Sequence, residues 1–327
     1  MNSRHQSPLT LARLALGFAL AVLASACSSS KPTPLAPPPV ALSHLYIADT
    51  GNNRVVQVED LNGTDWKTVG ALGADTLQFN SPGGVFVTVA RGIYISDFAN
   101  NRIAYMSNVA GAGWTTYGTM GSGVGQFSNP RGIWVDGNGK IYVADGGNHR
   151  IVRMNNMTGA GWVEYGTAGS DTAQFQTPSG ICIAVGKIFV TDIGNNRIVS
   201  LGSMTGTNWT EFGTAGSDTA QFSGPRSIQV NTAGRIFVAD ELNNRIVSVS
   251  DMTGAGWTVM DLAAAPVGVL NGPTGVALDA GGRIYVADTN NNRAVRVDDI
   301  TGAGAVAFGT TGPGTNQFAT PQGIFFR

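Results

Sequence analysis

IYVADGGNHRIVRM, residues 141–154, is the stretch on which the fold turns. Ile141 to Ala144 is apolar without a polar alternation, as in a short strand buried on both faces. Asp145 to His149 is rich in turn formers. Arg150 to Met154 is a second apolar-rich strand running back. The same run returns five more times: LYIADTGNNRVVQV from Leu45, IYISDFANNRIAYM from Ile93, IFVTDIGNNRIVSL from Ile188, IFVADELNNRIVSV from Ile236 and IYVADTNNNRAVRV from Ile284. Its aspartates, Asp49, Asp97, Asp145, Asp192, Asp240 and Asp288, are spaced 47 or 48 residues apart.

Working outward, each copy acquires two further strands. Upstream of residue 141 lie Gly132 to Val135 and the turn Asp136-Gly137-Asn138-Gly139, whose Asn-Gly step is a strong hairpin signal. Downstream, Thr158-Gly159-Ala160-Gly161 turns the chain into a fourth strand over 162–165. Two landmarks keep the same beat. Gln-Phe precedes a proline at Phe79, Phe127, Phe175, Phe222 and Phe318, with Leu270 in the one degenerate copy. Trp66, Trp114, Trp162, Trp209 and Trp257 open the outer strand, with Ala305 in the last. A four-stranded unit of this length is the size of a propeller blade.

The ends choose a ring over an open solenoid. The last copy stops after a first strand, Gly323-Ile324-Phe325-Phe326. The first copy begins at a second strand, Leu45-Tyr46-Ile47. Each end supplies what the other lacks, so the expected fold is all-β: a six-bladed propeller over 43–327, closed by the C-terminal strand completing the N-terminal blade and leaving no free sheet edge.

The pattern P-x-G-I-x-V, I-Y-V-A-D, N-x-R-I resembles the NHL repeat. Pro130, Gly132, Ile133, Val135, Ile141, Tyr142, Val143, Ala144, Asp145, Asn148, Arg150 and Ile151 carry the resemblance, which extends in phase from about residue 43 to 327.

The first 42 residues read differently. Arg4 and Arg13, an apolar run over 14–23, and Ala24-Ser25-Ala26-Cys27 form a secretory leader that resembles a bacterial lipoprotein signal, with Cys27 as the acylated residue. Leu23 sits one place earlier than such signals prefer. Ordinary cleavage after Ala-Ser-Ala and a short membrane anchor are the other readings. The expected organisation is a leader over 1–26, a Pro/Ser-rich tether over 27–42 and the propeller. Extended tether would reach ~45 Å. The expected location is the bacterial cell envelope, at the outer membrane if the cell has one.

Removing the leader leaves 18 basic and 21 acidic residues, a net charge of −3. That balance argues against nucleic acid as a partner, although some eukaryotic NHL domains bind RNA. Glycine is abundant, at 45 residues, and only 13% of residues are charged, as many tight turns require. Cys182, in Ile-Cys-Ile, is expected to be a buried hydrophobe rather than a nucleophile.

Six pairs of an aspartate and an arginine, five residues apart, stand out: Asp49 with Arg54, Asp97 with Arg102, Asp145 with Arg150, Asp192 with Arg197, Asp240 with Arg245 and Asp288 with Arg293. Present in every unit, they are expected to build the blades. The aspartate would accept backbone N–H bonds in its turn, and the arginine would pair with that or a neighbouring carboxylate. The tryptophans are expected to pack between blades rather than stack on sugars. The turns before strand one and after strand two share one face, which carries Asn52, Asn100, Asn148, Asn195, Asn243 and Asn291. Residues that break the repeat there, Arg131, His149, Arg226 and Glu241, are the candidate ligand face.

No nucleophile elbow, zincin or Walker motif occurs. The leader aside, His44 and His149 are the histidines present, short of a three-histidine zinc site. No cofactor is expected, while calcium held by Asp, Asn and Glu oxygens is left open. The leading expectation is a non-catalytic, monomeric binding or scaffold propeller, taking an envelope protein or glycan. The alternative is a metal-dependent, calcium-type hydrolase or lyase at the channel mouth. Lyases and lactonases of the wider six-bladed group resemble the chain in fold, as do sensor domains of bacterial receptor kinases.

Overall fold

The computed structural model describes residues 43–327; the expected leader, Cys27 and the tether lie outside them. Six four-stranded antiparallel sheets account for nearly all the strand content. In the third blade the strands are Pro130–Val135, Ile141–Asp145, Arg150–Met154 and Val163–Tyr165. The first strand thus starts at the proline, two residues earlier than the sequence implied. The outer strand starts one residue after Trp162.

The ring closes through the first blade. Pro321–Phe326 pairs antiparallel with Leu45–Asp49, setting Tyr46 opposite Phe325 and Ile47 opposite Ile324. His44 and Arg327 exchange two backbone hydrogen bonds, at 2.5 and 2.8 Å. Each blade's inner strand contacts the inner strands of both neighbours, and the circuit returns to its start.

Every inner strand is bulged just after its proline. Proline has no N–H to give the ladder, so the irregularity falls where pairing is already broken. The bulge brings neighbouring backbones close around the axis. A Cβ added at Gly132 would stand 3.0 Å from the Ile181 nitrogen and 3.1 Å from the Gly180 Cα. Backbone cannot yield as a side chain can, so Gly132→Ala is expected to destabilise by ~1–3 kcal/mol. Gly137→Ala, in an open hairpin turn with nothing within 4 Å of the new carbon, is the control. Equal denaturation midpoints for the two variants would contradict this packing.

Between blades the Gln-Phe landmark proves to be a strand. Gln126–Phe127 pairs in parallel with Thr119–Met120. Three other linkers repeat the arrangement, and a single bridge, Leu72 to Phe79, replaces it in the first. Phe79, Phe127, Phe175, Phe222 and Phe318 are fully buried, and buried Leu270 stands in for the sixth. Each phenylalanine packs a tryptophan at 5.3–5.5 Å, as Phe127 does Trp162. Trp162 also meets Tyr117 of the preceding blade, at 6.3 Å. Cys182 is fully buried, and burial pushes its thiol up to about 12, so it stays protonated and unreactive at neutral pH.

Candidate functional site

The repeated polar residues form six copies of one clamp. Each aspartate is fully buried at the end of a second strand. In the third blade Asp145 Oδ2 accepts Arg150 Nε at 2.9 Å and the Asn148 amide at 2.8 Å. Its Oδ1 accepts the Ser128 backbone N–H at 2.7 Å. That donor lies in the linker entering the blade, not in the adjacent turn where the sequence placed it. Asn148 also donates to the Gly121 carbonyl, and Arg150 to the Ser122 and Gln126 carbonyls. The clamp therefore ties the incoming linker to the blade.

The other five blades repeat it. Arg54 donates from Nε to Asp49 at 2.7 Å, and Arg102 to Asp97 at 2.7 Å. Arg197 donates to Asp192 at 3.0 Å, Arg245 to Asp240 at 2.8 Å and Arg293 to Asp288 at 2.7 Å. The sequence pointed to carboxylates as the arginine partners, and each arginine does pair with its aspartate; what the sequence did not show is the rest of its bonding. A guanidinium has five donors, more than one carboxylate oxygen can take. The remaining nitrogens go to linker carbonyls instead. Arg54 reaches those of Pro313 and Gln317, and Arg102 those of Ala74 and Gln78. Arg197 reaches Ser170 and Gln174, and Arg245 reaches Ser217 and Gln221. Arg293, in the blade without a Gln-Phe landmark, takes Val267 and Val269. A second carboxylate joins in two blades, Glu164 at Arg150 and Glu211 at Arg197.

Burial pushes the Asp145 carboxyl above its ordinary range, with the Asn148, Ser128 and Arg150 donors pulling the other way. In five blades the arginine also lies over the half-buried tryptophan, 5.5–5.9 Å from the ring centre. These asparagines and tryptophans are thereby engaged in construction.

His149 belongs to a second device. It occupies the left-handed position after the short 3-10 turn, φ 56°, where the other blades place Asn53, Asn101, Asn196, Asn244 and Asn292. Its Nδ1 accepts the Thr177 N–H of the next blade at 3.1 Å, as Asn101 accepts that of Asn129 at 2.9 Å. The histidine bolts adjacent blades together and is not grouped with the two arginines.

Arg131, Arg226 and Glu241 do converge. Arg131 and Arg226 occupy the position after the proline on inner strands of the third and fifth blades, facing the axial channel. At its mouth is a cavity of about 270 Å³ lined by Thr50, Ser81, Phe98, Arg131, Arg226 and Gln322. Arg226 is held by Glu241, Nε to Oε2 at 2.5 Å and a second nitrogen to Oε1 at 3.4 Å. Arg131 lies over the Phe98 ring at 4.9 Å, and its buried Nε has no hydrogen-bond partner. Burial, and then the Arg226 charge, depress the Arg131 guanidinium to about 10, with Glu241 opposing.

Phe98 and Gln322 come from the second and first blades and were not among the sequence candidates; nor were Ser96 and Thr191. Ser96 donates to the Arg131 carbonyl, and Thr191 to the Arg226 carbonyl at 2.7 Å. These hydroxyls fix the backbone beneath both arginines. The signal was present: the other four blades have alanine at this place, as in Ala144. At the channel's far end Phe86 packs Trp134 and Phe325 at 4.8 and 4.6 Å. A separate opening of about 680 Å³ lies beyond, and Ser43, the first described residue, is on its rim. Among the described residues no three His, Cys, Asp or Glu side chains group as a metal site.

A family model for the NHL repeat matches residues 127–154 and 270–293. The chain carries NHL repeats. The NHL propeller aligns with a chain of a nidogen–laminin complex at 18% identity and TM-score 0.65, covering 87% of this chain and 98% of that one. A streptogramin B lyase aligns at 17% identity and TM-score 0.53, over 72% and 70% of the two chains. A catalytically inactive virginiamycin B lyase from Staphylococcus aureus, with quinupristin, aligns at 18% identity and TM-score 0.51, over 72% of each. Such identities show the fold alone. No curated protein matches the chain significantly.

Proposed function

We propose that the NHL propeller is a non-catalytic binding module, displayed at the bacterial cell envelope, that receives its ligand at the Arg131 mouth of the channel. One observation carries this: two residues that break the repeat, Arg131 and Arg226, line a single cavity, and a third, Glu241, pairs with Arg226. The residues that keep the repeat are engaged in holding blades together. A preformed concave site with few, well-placed polar groups is what ligand recognition uses. An envelope protein or a glycan, presenting a small group to the mouth, is the partner class.

Envelope display rests on the leader and Cys27.

Thermal unfolding against a panel of small acids, amides, sugars and calcium tests the site. Gln322→Trp, which fills the cavity, is the blocked variant. A true ligand at a hundredfold its Kd stabilises the wild type by ~2.7 kcal/mol and leaves the variant unmoved. Equal stabilisation of both proteins, or conversion of the compound seen by mass spectrometry, would overturn the reading. Palmitate labelling that survives Cys27→Ser would overturn the anchor.

A further inference from the structure

The Arg131 mouth has a surplus of positive charge that the protein does not neutralise. Two guanidinium groups face one cavity, and the carboxylate beside them, Glu241, is taken by Arg226. Arg131 is placed over an aromatic ring instead of against an acid. A cation–π contact offsets part of the loss of water, but it supplies no hydrogen-bond acceptor. Its buried Nε is unpartnered. A partly desolvated guanidinium that lines a cavity with no carboxylate against it is unfavourable by itself and favours a bound anion.

The charge of that acceptor follows from the count of groups. Arg131, Arg226 and Glu241 sum to a single positive charge, which one carboxylate balances and a phosphate dianion exceeds. Guanidinium is a planar fork that matches carboxylate geometry. The cavity, about 270 Å³, is below the usual size for a whole drug-sized ligand, so it suits a small acid or the acidic tip of something larger.

We propose that the channel mouth recognises a single carboxylate group, on a small acid or at a peptide C-terminus, with Arg131 as its principal partner and the Arg226–Glu241 pair setting its charge. This rests on the binding role proposed above. Isothermal titration with acetate, N-acetylalanine, N-acetylalanine amide and inorganic phosphate tests it on the full chain.

N-Acetylalanine is expected to bind and its neutral amide is not. Acetate binding as well would point to small acids, and N-acetylalanine alone to a peptide terminus. Arg131→Gln is expected to weaken N-acetylalanine at least about tenfold, by the worth of a charged hydrogen bond. Glu241→Gln works in the other direction: it is expected to tighten N-acetylalanine and to admit phosphate. Equal binding of acid and amide, no change in Arg131→Gln, or a wild-type preference for phosphate would overturn the carboxylate assignment. If Gln322→Trp still blocks a neutral compound, the binding role stands and the carboxylate falls; if it blocks nothing, both fall.

Discussion

A chain ended at Thr320 is expected to lose cooperative unfolding and to expose apolar surface at room temperature. The missing strand carries Ile324 and Phe325, 4% and 9% exposed in the intact ring. Removing two such side chains forfeits ~3–6 kcal/mol of burial. Their ladder partners, Leu45 to Asp49, would then present a hydrophobic edge with unpaired N–H and C=O groups. The same strand packs against the inner strands of the second and sixth blades, so both neighbours lose a wall. Since total stability is ~5–15 kcal/mol, the loss is comparable with the whole. Denaturation followed by intrinsic fluorescence, with dye binding to exposed apolar surface, measures it. An unchanged midpoint and no dye binding would mean that the ring does not depend on its last strand.

Asp145→Ala is the next largest effect. The substitution takes one acceptor from three donors at once: Arg150 Nε, the Asn148 amide and the Ser128 N–H. Arg150 is itself buried, 5% exposed. It keeps carbonyl partners and Glu164, but that glutamate is half exposed. Breaking a buried pair from one side costs ~3–5 kcal/mol, because the remaining charge stays in a dry site. The lost tie between linker and blade acts in the same direction. Chemical denaturation of Asp145→Ala against wild type reads the difference, and a midpoint equal to wild type would refute the clamp.

Much of this architecture was legible because repetition marks every strand six times. The aspartates fixed the period, and the incomplete copies at Leu45 and Phe326 located the closing blade. Burial of Cys182 followed from its apolar neighbours. Periodicity could not reveal the parallel Gln-Phe strands, since two residues leave no pattern. Nor could it give the Ser128 to Asp145 bond, which joins residues 17 apart. The carbonyl partners of Arg54, Arg102, Arg197, Arg245 and Arg293 were hidden for the same reason. Backbone acceptors have no residue type to betray them, and those of Arg54 lie at the far end of the chain.

The candidate site was legible in part, for a related reason. Arg131, Arg226 and Glu241 were visible as departures from the repeat. Which departures meet depends on the axis of the ring, where Arg131 finds Phe98 from one blade and Gln322 from another. His149 departs from the repeat too, yet its ring nitrogen does the work of an asparagine oxygen. A departure in sequence is thus not a departure in role, and only the contacts distinguish the two.

Closure of the ring within a single chain underlies both the fold and the channel mouth. It is tested most directly by a disulfide between residues 44 and 327, made as His44→Cys with Arg327→Cys in a Cys27→Ser background. A hydrogen-bonded antiparallel pair sets Cα atoms ~5.5 Å apart, within disulfide reach. Mass spectrometry after mild oxidation of the folded protein is predicted to find the two terminal peptides joined within one chain. Free thiols at both positions, or a bond found only between two copies, would contradict the closed ring.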